Sequence, residues 1–172
     1  MATGVLSAAD ELAIRDVIAR YAWALDTGDV DGFVACFCRD GVLVWDAFEE
    51  PERWEGAEAL RHFASFFRSL PTSASRQHHV SNTLVKASGD GASSRSYVAV
   101  AVRQSEGPHL LSVMGYYEDL FRREDGHWRL AERVIRDWSG PILKDFAGQS
   151  GERVARPRPA PLRGATYPRK GT

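Results

Sequence analysis

Two acid–base residues organise the reading of this chain. One is a histidine in the stretch Arg76-Gln77-His78-His79-Val80-Ser81-Asn82-Thr83-Leu84-Val85, and the other is Asp26, about 50 residues earlier. The stretch is rich in β-branched and polar residues and is followed by Ser88-Gly89-Asp90-Gly91, so it reads as a strand closed by a turn. Side chains two apart on a strand share a face. His78, Val80, Asn82 and Leu84 are therefore expected on one face, and His79, Ser81, Thr83 and Val85 on the other. Either way a histidine faces inward. A carboxylate on one imidazole nitrogen fixes the proton there and leaves the other nitrogen free to accept one. Such a pair, without a serine or cysteine nucleophile, suits removal of a proton next to a carbonyl or a leaving group. Base assistance of this kind contributes roughly 10²–10⁴-fold to a rate.

Elements must bring these groups together. Ser7-Ala8-Ala9-Asp10 has the form of a capping box, and an amphipathic helix is expected to follow to about Leu25. Leu12, Ile14, Val17, Ile18, Tyr21, Ala22 and Leu25 give its apolar stripe. Asp26 falls along that stripe, one turn after Ala22, with Tyr21 near the same face. Thr27-Gly28-Asp29 breaks the helix, and Asp29 is placed to cap a short second one from Val30 to about Cys38, burying Phe33 and Phe37. Val42-Leu43-Val44-Trp45 reads as a strand and residues 49–53 as a polar loop. A third helix, about Ala57 to Leu70, carries Leu60, Phe63, Ala64 and Phe67 at helical spacing. Four strands then follow, about 77–87, 93–104, 109–123 and 127–138, joined by short turns that include Asp125-Gly126. Short turns imply an antiparallel meander. Helices first and a long curved sheet afterwards make an α+β layered domain.

Composition narrows the function classes. The chain has 172 residues and 44% apolar residues, enough for one globular domain. Residues 1–150 carry a net charge of −6 and residues 151–172 one of +5. The acidic globular part argues against a nucleic-acid surface. No apolar run approaches the ~20 residues of a membrane span. Met1-Ala2-Thr3-Gly4 lacks a signal-peptide pattern, and a cytoplasmic location is the expectation. Cys36 and Cys38 stand without a second ligand pair, so they read as two buried thiols and not as a metal site. The division expected is a domain at 1–140 and a tail at 141–172. That tail contains Pro157, Pro159, Pro161 and Pro168 and few large apolar residues. Arg129 and Arg133 read as one exposed strand face, with Glu118 or Glu132 across it.

The order of elements resembles the nuclear transport factor 2-like cone fold, and more narrowly the SnoaL-like family. The residues that carry the resemblance are 21–29, 37–42, 78–82 and 117–133, around Asp125-Gly126-His127-Trp128-Arg129. The resemblance implies a cone-shaped α+β barrel, with helices packed on a strongly curved, mainly antiparallel sheet around a pocket. In the lyases of this group an aspartate ending the first helix orients a histidine on a later strand, and that histidine is the base. By position these are Asp26 and His78, with Asn82 following His78 as in the family pattern. Tyr21 matches a tyrosine of the bile-acid dehydratase. Trp45 stands where that enzyme has a tyrosine, and Tyr97-Val98-Ala99-Val100-Ala101 lacks its further acid. The implied activity is a cofactor-independent lyase, isomerase or cyclase acting on an apolar aromatic, polyketide or steroid-like substrate. The implied catalytic residues are Asp26, His78 and Tyr21. Trp45, Asn82, Trp23, Phe63, Phe67, Met114 and Tyr116 are the candidate substrate contacts. No metal or organic cofactor is required. A homo-oligomer, dimer or trimer, through the outer face of the sheet is expected. The alternative within the same fold is a non-catalytic assembly subunit, like the β subunit of ring-hydroxylating dioxygenases, or a ligand-binding protein.

Overall fold

The computed structural model describes residues 5–167. The readings made on Met1–Gly4 and on Pro168 lie outside these residues. Helix α1 spans Ala8–Thr27 and α2 spans Val30–Ala35. Strand β1 is Phe37–Asp46 and β2 is Glu52–Glu55. Helix α3 is Gly56–Ser69. Strands β3 (Arg76–Ser88), β4 (Gly91–Val102), β5 (Leu110–Glu124) and β6 (His127–Asp137) complete the sheet.

The capping box forms as the sequence predicts. Ser7 Oγ accepts from the Asp10 backbone N–H at 3.1 Å, and Asp10 Oδ2 accepts from the Ser7 N–H at 3.3 Å. Ile14, Val17, Ile18, Tyr21, Ala22 and Ala24 are buried on α1. Leu12, counted in the stripe, is 68% exposed. It lies two residues from Ile14, about 200° around the helix, and so points away from the sheet. Gly28 ends α1 in the left-handed region at φ +72° and donates its N–H to Ala24 O. Asp29 Oδ1 then caps α2 from Gly32 N–H at 2.9 Å.

Helix α2 stops at Ala35 instead of continuing to Cys38, because the chain from Phe37 joins the sheet. Phe33 and Phe37 are both buried, as expected, but from different elements. The stretch read as a polar loop ends inside β2, which pairs antiparallel with β1 and brings in Trp54, fully buried. The third helix and the four long strands fall within a few residues of expectation.

The sheet order is β2-β1-β6-β5-β4-β3. β3 to β6 form the antiparallel meander, and β1 runs parallel to β6. The sheet is curved but is not a closed barrel, since β2 and β3 remain as edges. Helix α1 packs against β3 and β6, and α3 against β1 and β2, so the helices close the concave side and the core lies between.

Two bulges reset which side chains face that core. The β3–β4 register shifts between Ser81 and Leu84, and Asn82 sits at φ +50°, a conformation that asparagine tolerates better than most residues. Alternation flips there. His78 and Val80 face in before the bulge, and Thr83 and Val85 face in after it, while Leu84 is 72% exposed. A second shift between Leu120 and Phe121, opposite Glu132 and Leu130, turns Leu130 and Arg133 inward together. Among the described residues, no helix is long and apolar enough to cross a membrane.

Candidate active site

The last turn of α1 and the first residues of β3 meet at Asp26 and His78. His78 Nδ1–H donates to Asp26 Oδ1 at 2.5 Å, and the His78 backbone N–H donates to Asp26 Oδ2 at 2.7 Å. β3 is an edge strand, and this N–H finds its acceptor outside the sheet. One carboxylate thus fixes both the ring and the strand that carries it. The side chains are 15% and 13% exposed for Asp26 and His78. Asp29 caps α2, so Asp26 is not spent on that turn. His79 points to the outer side and is exposed, which settles the inward histidine as His78.

His78 lies on the wall of a cavity of about 190 Å³. Tyr21 and Leu25 of α1, Trp45 of β1, Phe63 and Phe67 of α3, and Val98 and Val100 of β4 give it an apolar lining. Asp26 does not line this cavity. It lines a broader groove on the outer side, where His78 is also present. The carboxylate therefore holds the imidazole from behind while the ring faces the cavity. Arg76, two residues before His78 on the same face, lines both spaces. Its Nη2 donates to Phe67 O at 3.1 Å, and its guanidinium lies 4.9 Å from the Phe67 ring centre. Burial pulls its pKa down, against the opposing charge of Asp26.

Below the cavity lies a buried ion pair that the sequence reading missed. Arg133 Nε and Nη2 donate to the two oxygens of Asp119 at 2.8 Å each, and both side chains are fully buried. Ser94 Oγ donates to Asp119 Oδ2 at 3.0 Å. The Arg133 guanidinium sits 4.1 Å from the ring centres of both Tyr21 and Tyr117. This corrects the reading of Arg133 as exposed and as sharing a face with Arg129. The bulge beyond Leu130 separates them. Tyr117, Asp119 and Phe121 alternate on one face, and a carboxylate on an apolar face was the available signal. Burial pushes the Tyr21 phenol up, with Arg133 pulling the other way, and burial does the same to Tyr117. Both are neutral phenols near neutral pH. Among the described residues, the buried Tyr21 Oη has no acceptor for its proton, and the Arg133 guanidinium lies beside it as a donor toward the phenol oxygen.

Of the ten residues named from sequence, six meet at this place: Asp26, His78, Tyr21, Trp45, Phe63 and Phe67. Four do not. Trp23 is 70% exposed, because it lies about 200° around α1 from Tyr21, and it lines the outer groove beside Asp26 but not the cavity. Asn82 is exposed at the bulge. Met114 and Tyr116 lie on the outer face of β5, alternating with Val113, Gly115 and Tyr117. Met114 is 58% exposed, and Tyr116 is buried against Trp138 at 6.2 Å. Contacts not foreseen are Phe48, Arg76, Ile135, Arg156 and Leu162. Cys36 and Cys38 are buried free thiols, and among the described residues no cluster of three metal-ligating side chains occurs.

In a comparison with known families, the SnoaL-like domain matches residues 7–134. The chain belongs to the SnoaL-like domain family. No curated protein sequence matches it. Among solved structures, this SnoaL-like domain is similar to a variant of Rv3472, a protein of unknown function from Mycobacterium tuberculosis. The two are 28% identical over 84% of each chain, with a TM-score of 0.65. An NTF2-like protein with a cystatin-like fold from Novosphingobium aromaticivorans is 24% identical over 77% of this chain and 84% of its own, with a TM-score of 0.68. A proposed scytalone dehydratase from the same organism is 22% identical over 75% and 84%, with a TM-score of 0.62. The last two likenesses show the shared fold.

Proposed function

We propose that this SnoaL-like domain is a cofactor-independent lyase, isomerase or cyclase in which His78, oriented by Asp26, removes a proton from a carbon acid bound in the apolar cavity. One observation carries the reading: an imidazole faces an apolar cavity while a carboxylate 2.5 Å from its Nδ1 holds it from outside that cavity. Asp26 fixes the proton on Nδ1, so Nε2 is the free base, and the carboxylate stabilises the imidazolium that forms. The neutral phenol of Tyr21, whose proton has no acceptor, is suited to donate to a developing enolate oxygen. Arg76 adds a fixed positive charge near the same wall.

Cavity size narrows the substrate class. A volume of about 190 Å³ is below the ~300–1,000 Å³ of sites for drug-sized ligands, and a cavity of ~150 Å³ holds a benzene. A single ring with a small substituent matches this volume, whereas a polycyclic or steroid-like skeleton exceeds it.

The test is solvent deuterium exchange at the α-carbon of single-ring enolisable ketones, followed by NMR. The wild-type protein is expected to accelerate exchange, and Asp26→Asn and His78→Asn to lower the rate about 10²-fold or more. Exchange that survives both substitutions would refute the assignment. Ligand binding without exchange would move the protein to the ligand-binding reading.

A further inference from the structure

The cavity is closed by a part of the chain far from it in sequence. We infer that residues 153–165 form a detachable wall of the substrate site, and that Leu162 in this wall sets the size of ligand the site accepts. The inference rests on the proposed function only in taking the cavity as the ligand site.

Arg156, Pro159 and Leu162 line the cavity. Leu162 packs on the apolar core, and Arg156 lines the cavity with its guanidinium 5.6 Å from the Phe48 ring centre. The wall is fastened mainly by polar contacts. Arg153 Nε donates to Asp46 Oδ1 at 2.6 Å. Arg156 Nε lies 2.9 Å from Asp137 Oδ2, and the Arg156 backbone bridges Ala47 and Glu49 at 3.2 and 3.1 Å. Arg158 pairs with Glu52. Trp54 Nε1 donates to Ala165 O at 2.7 Å. Three arginines within six residues thus meet three acids at the rim: Asp46 on β1, Glu52 on β2 and Asp137 on β6.

Apolar attachment is small by comparison. Ala165 is the one buried residue of this segment, and Leu162 is half-buried. The Arg153–Asp46 and Arg156–Asp137 pairs are partly exposed, and such pairs contribute little each and weaken with salt, while Arg158–Glu52 is the more buried of the three. A segment with few buried apolar contacts opens at lower free energy than the sheet it covers. Opening removes Leu162 and Arg156 from the wall and admits ligands that the closed cavity excludes.

Two measurements test this with the full-length protein. The first compares binding of phenol and 2-naphthol, by calorimetry, to wild type and to Leu162→Ala. The wild type is expected to favour phenol, and the variant to shift the ratio toward 2-naphthol by about tenfold. A ratio unchanged within twofold, with binding intact, overturns this inference alone. Failure of both probes to bind either protein overturns the cavity as a ligand site and this inference with it. The second is amide hydrogen exchange in Arg153→Gln/Arg156→Gln/Arg158→Gln and in wild type at raised sodium chloride. Residues 153–165 are expected to exchange at least tenfold faster in both, while β4 and β5 keep their protection. Equal protection, or loss across the sheet as well, would show that the wall does not open by itself.

Discussion

Asp119→Ala probes the support beneath the candidate site. Asp119 takes two hydrogen bonds from Arg133 and one from Ser94, all inside the protein. Removing it leaves a guanidinium charge uncompensated between the rings of Tyr21 and Tyr117. Breaking a buried pair from one side costs about 3–5 kcal/mol. The Ser94 hydroxyl, left without its acceptor, adds about 1 kcal/mol. For a chain of this length about 2–4 °C is lost per kcal/mol. Urea and thermal unfolding followed by circular dichroism should therefore show a loss of about 4–6 kcal/mol, or roughly 8–24 °C in Tm. The double variant Asp119→Leu/Arg133→Met removes both charges and should recover most of that loss, because an apolar pair of similar volume replaces an ion pair with little cost. The pairwise coupling from the full cycle should exceed about 2 kcal/mol. An Asp119→Ala loss under about 1 kcal/mol, or an equal loss when Arg133 is already Met, would refute the reasoning.

Three further outcomes follow from other parts of the structure. The Asp10 carboxyl, bonded by Trp128 Nε1–H and by Ser7, is held down at about 2 against an ordinary value of 3.8. A lowered carboxyl contributes stability that is full above about 3.8 and is lost as pH falls through about 2, so Asp10→Asn should flatten the fall of the urea midpoint across that window; an unchanged slope would contradict it. Burial pushes the Cys36 thiol up to about 11, so a thiol-specific disulfide reagent in mildly alkaline buffer should label neither cysteine until the protein is unfolded, and rapid native labelling would count against the burial. We propose a homo-oligomer through the outer face of β3–β5, where Leu84, Met114 and Leu120 are 72%, 58% and 47% exposed. Sedimentation should show a dimer or trimer that Leu84→Glu/Met114→Glu dissociates, and a wild-type monomer at micromolar concentration would refute it.

Local signals in this sequence translated well into structure. Ser7 and Asp10 cap α1, Gly28 ends it and Asp29 caps α2, because each acts on backbone groups within a few residues. Asp26 was legible from the helical period, which puts it along the apolar stripe of α1, whereas the strand period left His78 and His79 open and only the family resemblance favoured His78. The misses cluster where a period is broken. One extra residue at Asn82 and another near Ala131 reverse the alternation, which moved Asn82 and Leu84 out and Arg133 in. Asn82 at positive φ is a residue type that allows such a bulge, but the type does not require one. Helical angle explains Leu12 and Trp23, which lie on the far side of α1 from Ile14 and Tyr21. The closing wall was illegible for another reason. Arg153 and Arg158 find Asp46 and Glu52 about a hundred residues away, and composition alone marked that region as a tail.

The most direct test of the central claim is the tautomer of His78, read from long-range ¹H–¹⁵N NMR spectra of histidine-labelled protein. The account predicts a proton on Nδ1 and a bare Nε2 in the wild type, with a strongly deshielded Nδ1–H that disappears in Asp26→Asn. An Nε2-protonated His78, or a His78 spectrum indifferent to Asp26→Asn, would contradict it.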